Sequence, residues 1–464
     1  MPFGKKKDLL SGVLIDFDAI YNTGIKPAIE DVGLRAERGD QEQSGGIIHL
    51  PMFARILLSD FMVADLTLGN PNVFYELGIR HLAKPFTTVP IFATTSALPF
   101  DVASVRSIGY DLKEGVMEAE SAAKLRRNVA ERLRISMQQA AKPDSPIYDL
   151  INALPPPAIP ETVERSLTER IDQQSDFSLR LAQARGQSSD KERTSALKAL
   201  QRSLGPLGAT RRGILLQLMI AYRDVSAFAE MIELYEESPD DLRSNPIVQQ
   251  QFALGLNRRK GPGDQDRAAS ILQAIVARRG PDPETLGLIG RIHKDRYKAE
   301  KEKPEADRDE LALEGHLDAA IDAYQRGFES DPRDYYPGIN VVTLLVHRGT
   351  PDSLAKAERF LPLLKFALDR RGTVASGDYW DLATLLEAAC CERDWQAATQ
   401  FAQRALALVQ TAKASFMAKS TLENLELLRE GFARSGQGAP ELEKIIRSYG
   451  NVLTKLRGED AKAG

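Results

Sequence analysis

From residue 166 onward, glycine and proline fall between apolar helix-forming segments, and that punctuation most narrows what the chain can fold into. Residues 268–293, 316–345 and 377–408 repeat one theme: an apolar helix, a short turn, a second helix and a proline-marked turn. Small alanines alternate there with Leu, Tyr and Phe, as close packing of paired antiparallel helices requires. The turns at Asp282 and Asp331 are spread apart by the charged insert AEKEKPEADRDELALEG. One such unit cannot bury its apolar face alone, so neighbours must stack into a solenoid. The expectation for residues 166–464 is a tetratricopeptide-like α-solenoid, with an unrelated helical bundle as the plainer alternative.

The first 142 residues are patterned differently, with short apolar runs alternating with helical periods as in βα units on a parallel sheet. The spacing of Phe17, Ile20, Tyr21, Ile25, Ala28, Ile29 and Val32 predicts a helix over 16–32 that Gly33 ends. Residues 34–38 are a candidate strand, 50–58 a short helix, and 61–67 (FMVADLT) a stronger strand. A helix opens at Asn70-Pro71, where Asn can cap and proline's missing N–H costs nothing. Residues 88–95 form a third strand, which Pro90 assigns to an edge or a strand start. Residues 107–112 are a fourth, and 118–141 a long polar helix. Met1-Pro2-Phe3-Gly4 resembles the loop after a central strand, which places the expected strand upstream of Met1. The stretch 143–165, with DSP and LPPPAIP, is a stiff linker between the two parts. The fold class is therefore α/β then all-α: a small Rossmann/flavodoxin-like parallel-sheet module over 1–142, followed by the helical array.

The densest chemistry lies in residues 64–81, ADLTLGNPNVFYELGIRH. Strand alternation puts Val63, Asp65 and Thr67 on one face, with Asp65 near the carboxyl end where open α/β sheets collect ligands. The next helix aims its first N–H groups at the same crevice, and Asn72 and Glu76 are stacked four residues apart. A carboxylate there accepts from ribose hydroxyls and stabilises positive charge as an N-glycosidic bond breaks. The bland reading is an i,i+4 pair between Glu76 and Arg80, with Asp65, Asn70 and Asn72 as caps. Two further segments are candidates for the crevice: the Phe3-Gly4 loop with Lys5–Lys7, whose lysines are more simply a solvated turn, and residues 38–49. In the latter, Arg38, Asp40 and His49 carry polar chemistry, and Gly45-Gly46 permits close backbone approach. There is no P-loop, GxGxxG, HExxH or nucleophile elbow, so nothing points to a metal, a resident cofactor or a serine nucleophile.

Charge excludes less than motif but still decides something. With 61 Lys+Arg against 65 Asp+Glu, the net charge of -4 gives no electrostatic case for nucleic acid or an anionic membrane. The two cysteines, Cys390 and Cys391, are adjacent, ill suited to a disulfide or a zinc site, and fit packing in a reducing cytoplasm. No apolar run approaches a membrane span.

MPFGKKK, residues 15–30, RGDQEQSGGIIH and ADLTLGNPNVFYELGIRH resemble bacterial nucleoside-deoxyribosyltransferase-like domains, distant cousins of TIR domains. The same region is similar to the N-terminal part of the TRAF-binding segment of apoptosis signal-regulating MAP3 kinases, where an α/β module also precedes a tetratricopeptide-like array. That resemblance implies a catalytic-type glutamate at Glu76, with Asp65, Asn70 and Asn72 shaping a nucleotide or NAD-like pocket. No HRD or DFG arrangement of a kinase is present. The leading expectation is a signalling or conflict-system sensor: the module binds, and hydrolyses at the glycosidic bond, a nucleoside or NAD-derived nucleotide, and the repeats bind a protein partner. The alternative is a non-enzymatic scaffold acting through the concave face of its repeats. A third is a nucleoside hydrolase whose repeats drive assembly.

Overall fold

Alternation along residues 62–66 seeds the front unit, because it buries side chains on both faces of a strand at once. The structure, a computed structural model, describes residues 1–8, 11–39, 49–103, 105–138, 143–151, 154–371, 374, 377–412 and 415–463. It divides into two units, Met1–Ala227 and Phe228–Gly464.

In the first unit, β3 (Met62–Asp65), β4 (Thr88–Ala93) and β5 (Ile108–Tyr110) form a parallel sheet in that order. A separate antiparallel pair joins β1 (Lys5–Lys7) to β2 (Leu14–Asp16). Helices α1 (Phe17–Ile20) and α2 (Lys26–Glu30), joined by a π turn (Tyr21–Ile25), pack with α6 (Ala119–Gln138) over one sheet face around Val89, Ile91 and Tyr110. The other face carries Ala64 and Leu66 against Val73 and Leu77 of α4 (Pro71–Ala83), and α3 (His49–Leu58) packs beside α4. Short helices α5 (Phe100–Ala103) and α7 (Pro146–Leu150) precede α8 (Glu161–Arg185), α9 (Asp190–Ser203) and α10 (Arg212–Asp224).

Four local expectations change. Residues 34–38 form no strand: Gly33, at φ +80°, ends the helix, and Arg38 is drawn to Asp18 by charge instead of joining a ladder. Lys5–Lys7 are a strand, not a turn, held by the register Lys5↔Asp16 to Lys7↔Leu14. Pro90 sits in the central strand. Its missing N–H is harmless because β5 pairs with β4 only from Ile91 onward. The Pro-rich stretch is also not where the two units part. Asp144 accepts from the Thr88 N–H at 2.6 Å, Tyr148 donates to the Leu82 carbonyl at 2.6 Å, and α8 packs against α3.

The second unit is helical throughout its described secondary structure: α11 (Phe228–Glu237), α12 (Asp240–Arg243), α13 (Pro246–Arg259), α14 (Asp264–Arg279), α15 (Pro283–Lys301), α16 (Glu310–Ser330), α17 (Tyr335–Arg348), α18 (Pro351–Arg371), α19 (Tyr379–Glu392), α20 (Trp395–Ala412), α21 (Ser415–Arg434) and α22 (Pro440–Ala463), with a 3-10 turn at Glu305–Asp307. Asn245, Asp282, Asp309, Asp334 and Asp378 each cap a following helix by accepting a first-turn N–H. Every residue from Pro337 to His347 is buried, the mark of a central helix rather than an amphipathic one. α17 is packed by α16, α18, α19 and α21. α21 also reaches α15, where Lys298 meets Glu423 at 2.6 Å.

Candidate functional site

α4 begins where the sequence places it. Asn70 lies in the extended region, and its side-chain oxygen accepts from the Asn72 N–H at 2.9 Å, with Pro71 at the first helical position. The cap takes one of the N–H groups expected to face an anion. The Asn72 side chain is exposed. One turn on, Glu76 is half-buried, and among the described residues no hydrogen bond or ion pair reaches its carboxylate. Burial pushes its pKa above the ordinary carboxylate value.

Arg80 does not pair with Glu76. It is fully buried and turns back to donate to the carbonyls of Ile56 at 2.7 Å, Ser59 at 2.8 Å and Asp60 at 2.8 Å, and to the Thr87 hydroxyl. Burial lowers its pKa to about 10, so it stays charged at neutral pH. The arginine is a clamp fixing α4 to the chain on either side of β3. Glu76 is left without its expected helix-face partner.

Asp65 turns its carboxylate inward, onto Thr67 and Tyr110. Its Oδ1 accepts from the Thr67 N–H at 3.1 Å and hydroxyl at 2.6 Å, and its Oδ2 accepts from the Tyr110 hydroxyl at 3.0 Å. The residue is wholly enclosed on the sheet face opposite α4, and burial raises its pKa. Alternation assigned the face correctly; what covers that face is a tertiary matter.

Two of the remaining candidates, Gly4 and Arg38, meet at Asp18, which residue spacing did not single out. Its Oδ1 accepts from Arg38 Nη1 at 2.7 Å and from the Gly4 N–H at 3.1 Å. That Gly4 contact is the main influence holding the Asp18 pKa low, opposed by burial and helped by Arg38. Arg38 also lies over the Tyr21 ring, 4.8 Å from its centroid. Gly4 adopts φ +65°, a conformation that suits glycine, and its carbonyl accepts from the Phe17 N–H at 3.0 Å. Phe3 is exposed, with Lys6 Nζ 5.4 Å from its ring centroid. Asp40 and Gly45-Gly46 lie outside the described residues. His49 opens α3. The signal for Asp18 was its place just past the Asp16 cap, which accepts from the Ala19 N–H at 3.0 Å.

The second unit holds a polar seam no local pattern announced. Lys294 Nζ donates to Asn340 Oδ1 at 3.0 Å and Asn424 Oδ1 at 2.7 Å, while Asn424 Nδ2 donates to both Glu387 oxygens at 3.0 Å. Burial pushes Lys294 down and Glu387 up. Farther along, His347 lies between the Tyr297 hydroxyl at 2.7 Å and the Leu427 carbonyl at 3.0 Å. Cys390 is buried next to this seam and unpaired, and Cys391 is half-buried. Among the described residues, no helix is long and apolar enough to cross a membrane.

The profile of the MAP3K TRAFs-binding domain matches residues 73–449. Mitogen-activated protein kinase kinase kinase nsy-1 of Caenorhabditis elegans is 31% identical over 226 residues, covering 46% of this chain and 14% of that protein. Kinase kinase kinase 15 of Mus musculus is 27% identical, covering 50% and 17%, and kinase kinase kinase 6 of Homo sapiens is 29% identical, covering 46% and 16%. The match thus spans under a fifth of each relative. A thermophilic TPR protein of Thermus thermophilus aligns over 46% of this chain and 99% of its own, at 15% identity and a TM-score of 0.34, a likeness too slight to assign a fold.

Proposed function

The chain belongs to the MAP3K TRAFs-binding domain family, and on that premise we propose that it is a cytoplasmic signalling protein that binds a TRAF-type protein partner through its helical second unit. In this reading the array is tetratricopeptide-like and the front unit is a Rossmann-like module that senses a nucleotide-like ligand, NAD or a nucleoside derivative. Glu76 carries the ligand half of the proposal: a half-buried carboxylate on the helix after β3, its pKa raised by burial against the opposing pull of the amino-terminal charge. Such a group accepts from a ribose hydroxyl and, where hydrolysis follows, stabilises charge at the anomeric carbon.

Two measurements on the full chain test it. Binding of a purified TRAF domain by biolayer interferometry tests the partner half, and absence of binding overturns it. Thermal stabilisation by NAD and a nucleoside panel, with mass-resolved product analysis for wild type and Glu76→Gln, tests the ligand half. Stabilisation lost in Glu76→Gln is expected, and free base released by wild type alone adds hydrolysis. No stabilisation by any ligand leaves the non-enzymatic scaffold. That second reading is favoured by Asp65, whose carboxylate is taken up by Thr67 and Tyr110.

A further inference from the structure

Where α11, α12, α13 and α14 meet, the second unit opens a cleft of about 540 Å³ lined by Tyr235, Asp240, Arg243, Gln249, Phe252 and Arg267 among others. That volume is of the size ligand sites use. Its floor is rigid. The Tyr235 and Phe252 rings stack with centroids 3.8 Å apart and planes within 10°, and the Tyr235 hydroxyl donates to the Arg243 carbonyl at 3.1 Å. Arg267 is held across the Phe252 ring with its guanidinium carbon 4.8 Å from the centroid.

Two guanidinium groups thus border one cleft, and the carboxylate that each pairs with is exposed to solvent. Arg267 pairs with Glu236 at 2.7 Å, and Arg243 pairs with Asp240, whose side chain is 91% exposed. Arg243 Nε is buried and has no acceptor. Exposed carboxylate pairs of this kind hold about 0 to 1 kcal/mol each. A phosphate dianion offers both guanidinium forks three oxygens and twice the charge, so it displaces such carboxylates.

The chemistry of the floor says what carries that phosphate. Phe252 is wholly buried beneath its neighbours, and Tyr235 is buried in the stack, so neither presents a face for a nucleobase. A nucleotide gains nothing here beyond its phosphate, whereas an open cleft admits an extended chain. We propose that this cleft binds a phosphoserine- or phosphothreonine-bearing peptide segment, with Arg243 and Arg267 gripping the phosphate. The proposal rests on the partner-binding reading above and adds a phosphorylation requirement at a defined place.

The test uses the full chain and a library of eight-residue peptides with a fixed central phosphoserine and randomised flanks, beside the same library with serine. Wild type is expected to retain the phosphorylated library about tenfold better, and Arg243→Gln and Arg267→Gln each to abolish most of that preference. Arg267→Lys, which keeps the charge and the packing over Phe252 but not the fork, is expected to fall between. Thermal midpoints measured in parallel confirm that the variants fold. Equal retention of the two libraries overturns the proposal, as does a preference that survives both glutamine substitutions. Competition by inorganic phosphate or AMP at the peptide's own concentration also overturns it, because the site then reads free phosphate or a nucleotide. TRAF-domain binding is measured on the same samples. Its presence without any phosphopeptide preference sinks the cleft alone, and loss of both sinks the parent reading.

Discussion

Replacing Arg80 by methionine keeps the length and apolar stem of the side chain but removes a charged donor from three backbone carbonyls, those of Ile56, Ser59 and Asp60. A buried acceptor left unpaired costs about 1 to 3 kcal/mol. The three together come to about 6 kcal/mol, from which release of a buried charge returns part. The expected net loss is about 4 kcal/mol, a large share of the 5 to 15 kcal/mol typical of a folded domain. Arg80→Lys retains the charge without the fork and is expected to lose about half as much. Hydrogen exchange resolved by peptide is the assay, because it reports each unit separately. Amides in 56–66 and 84–93 lose protection, while those in 335–348, in the other unit, do not change. A loss below about 1 kcal/mol refutes the reasoning, since the carbonyls would then be satisfied by water. A uniform loss across both units refutes it as well.

Two other outcomes follow from the second unit. A Cβ at Gly431 would lie 2.1 Å from the Val346 carbonyl oxygen and 2.7 Å from the His347 Cα, so Gly431→Ala forces α21 off α17 at a cost of about 3 kcal/mol by denaturant unfolding. Gly450→Ala, in α22 with no atom within 4 Å of the new methyl, is the control and gains about 0.5 to 1 kcal/mol. Burial, the largest influence, lowers the His347 pKa to about 4 from an ordinary 6.5, so the unfolded chain binds the proton that the folded one refuses. Stability of this unit therefore falls as pH drops from about 6.5 towards 4, and His347→Gln flattens that dependence in urea titrations at successive pH values. An unchanged slope refutes the assignment.

What reads directly from the residues is local. Asn70-Pro71 announces the start of α4, the Asp282 turn marks a break between helices, and alternation in 62–66 assigns each side chain its sheet face, because caps and periodicity depend on neighbours within about one turn. Glu76 was also legible, as a carboxylate on the helix after a strand. Its freedom from Arg80 was not, because i,i+4 spacing alone predicts a pair.

The sequence by itself determined an α/β front part followed by helices, and in the front part it placed β3, α4, β4, β5 and α6 to within a few residues. Tertiary structure alone decided that Asp65 is enclosed by Thr67 and Tyr110, that residues 144–148 dock back on β4 and α4, and that α21 packs on α17 and reaches α15. Each of those outcomes includes a contact between groups far apart in the chain, as Asp65 with Tyr110, Lys294 with Asn424 and Lys298 with Glu423. No local period encodes such pairings. They follow from which helices pack against one another, and from the cost of leaving a buried charge unanswered where they meet.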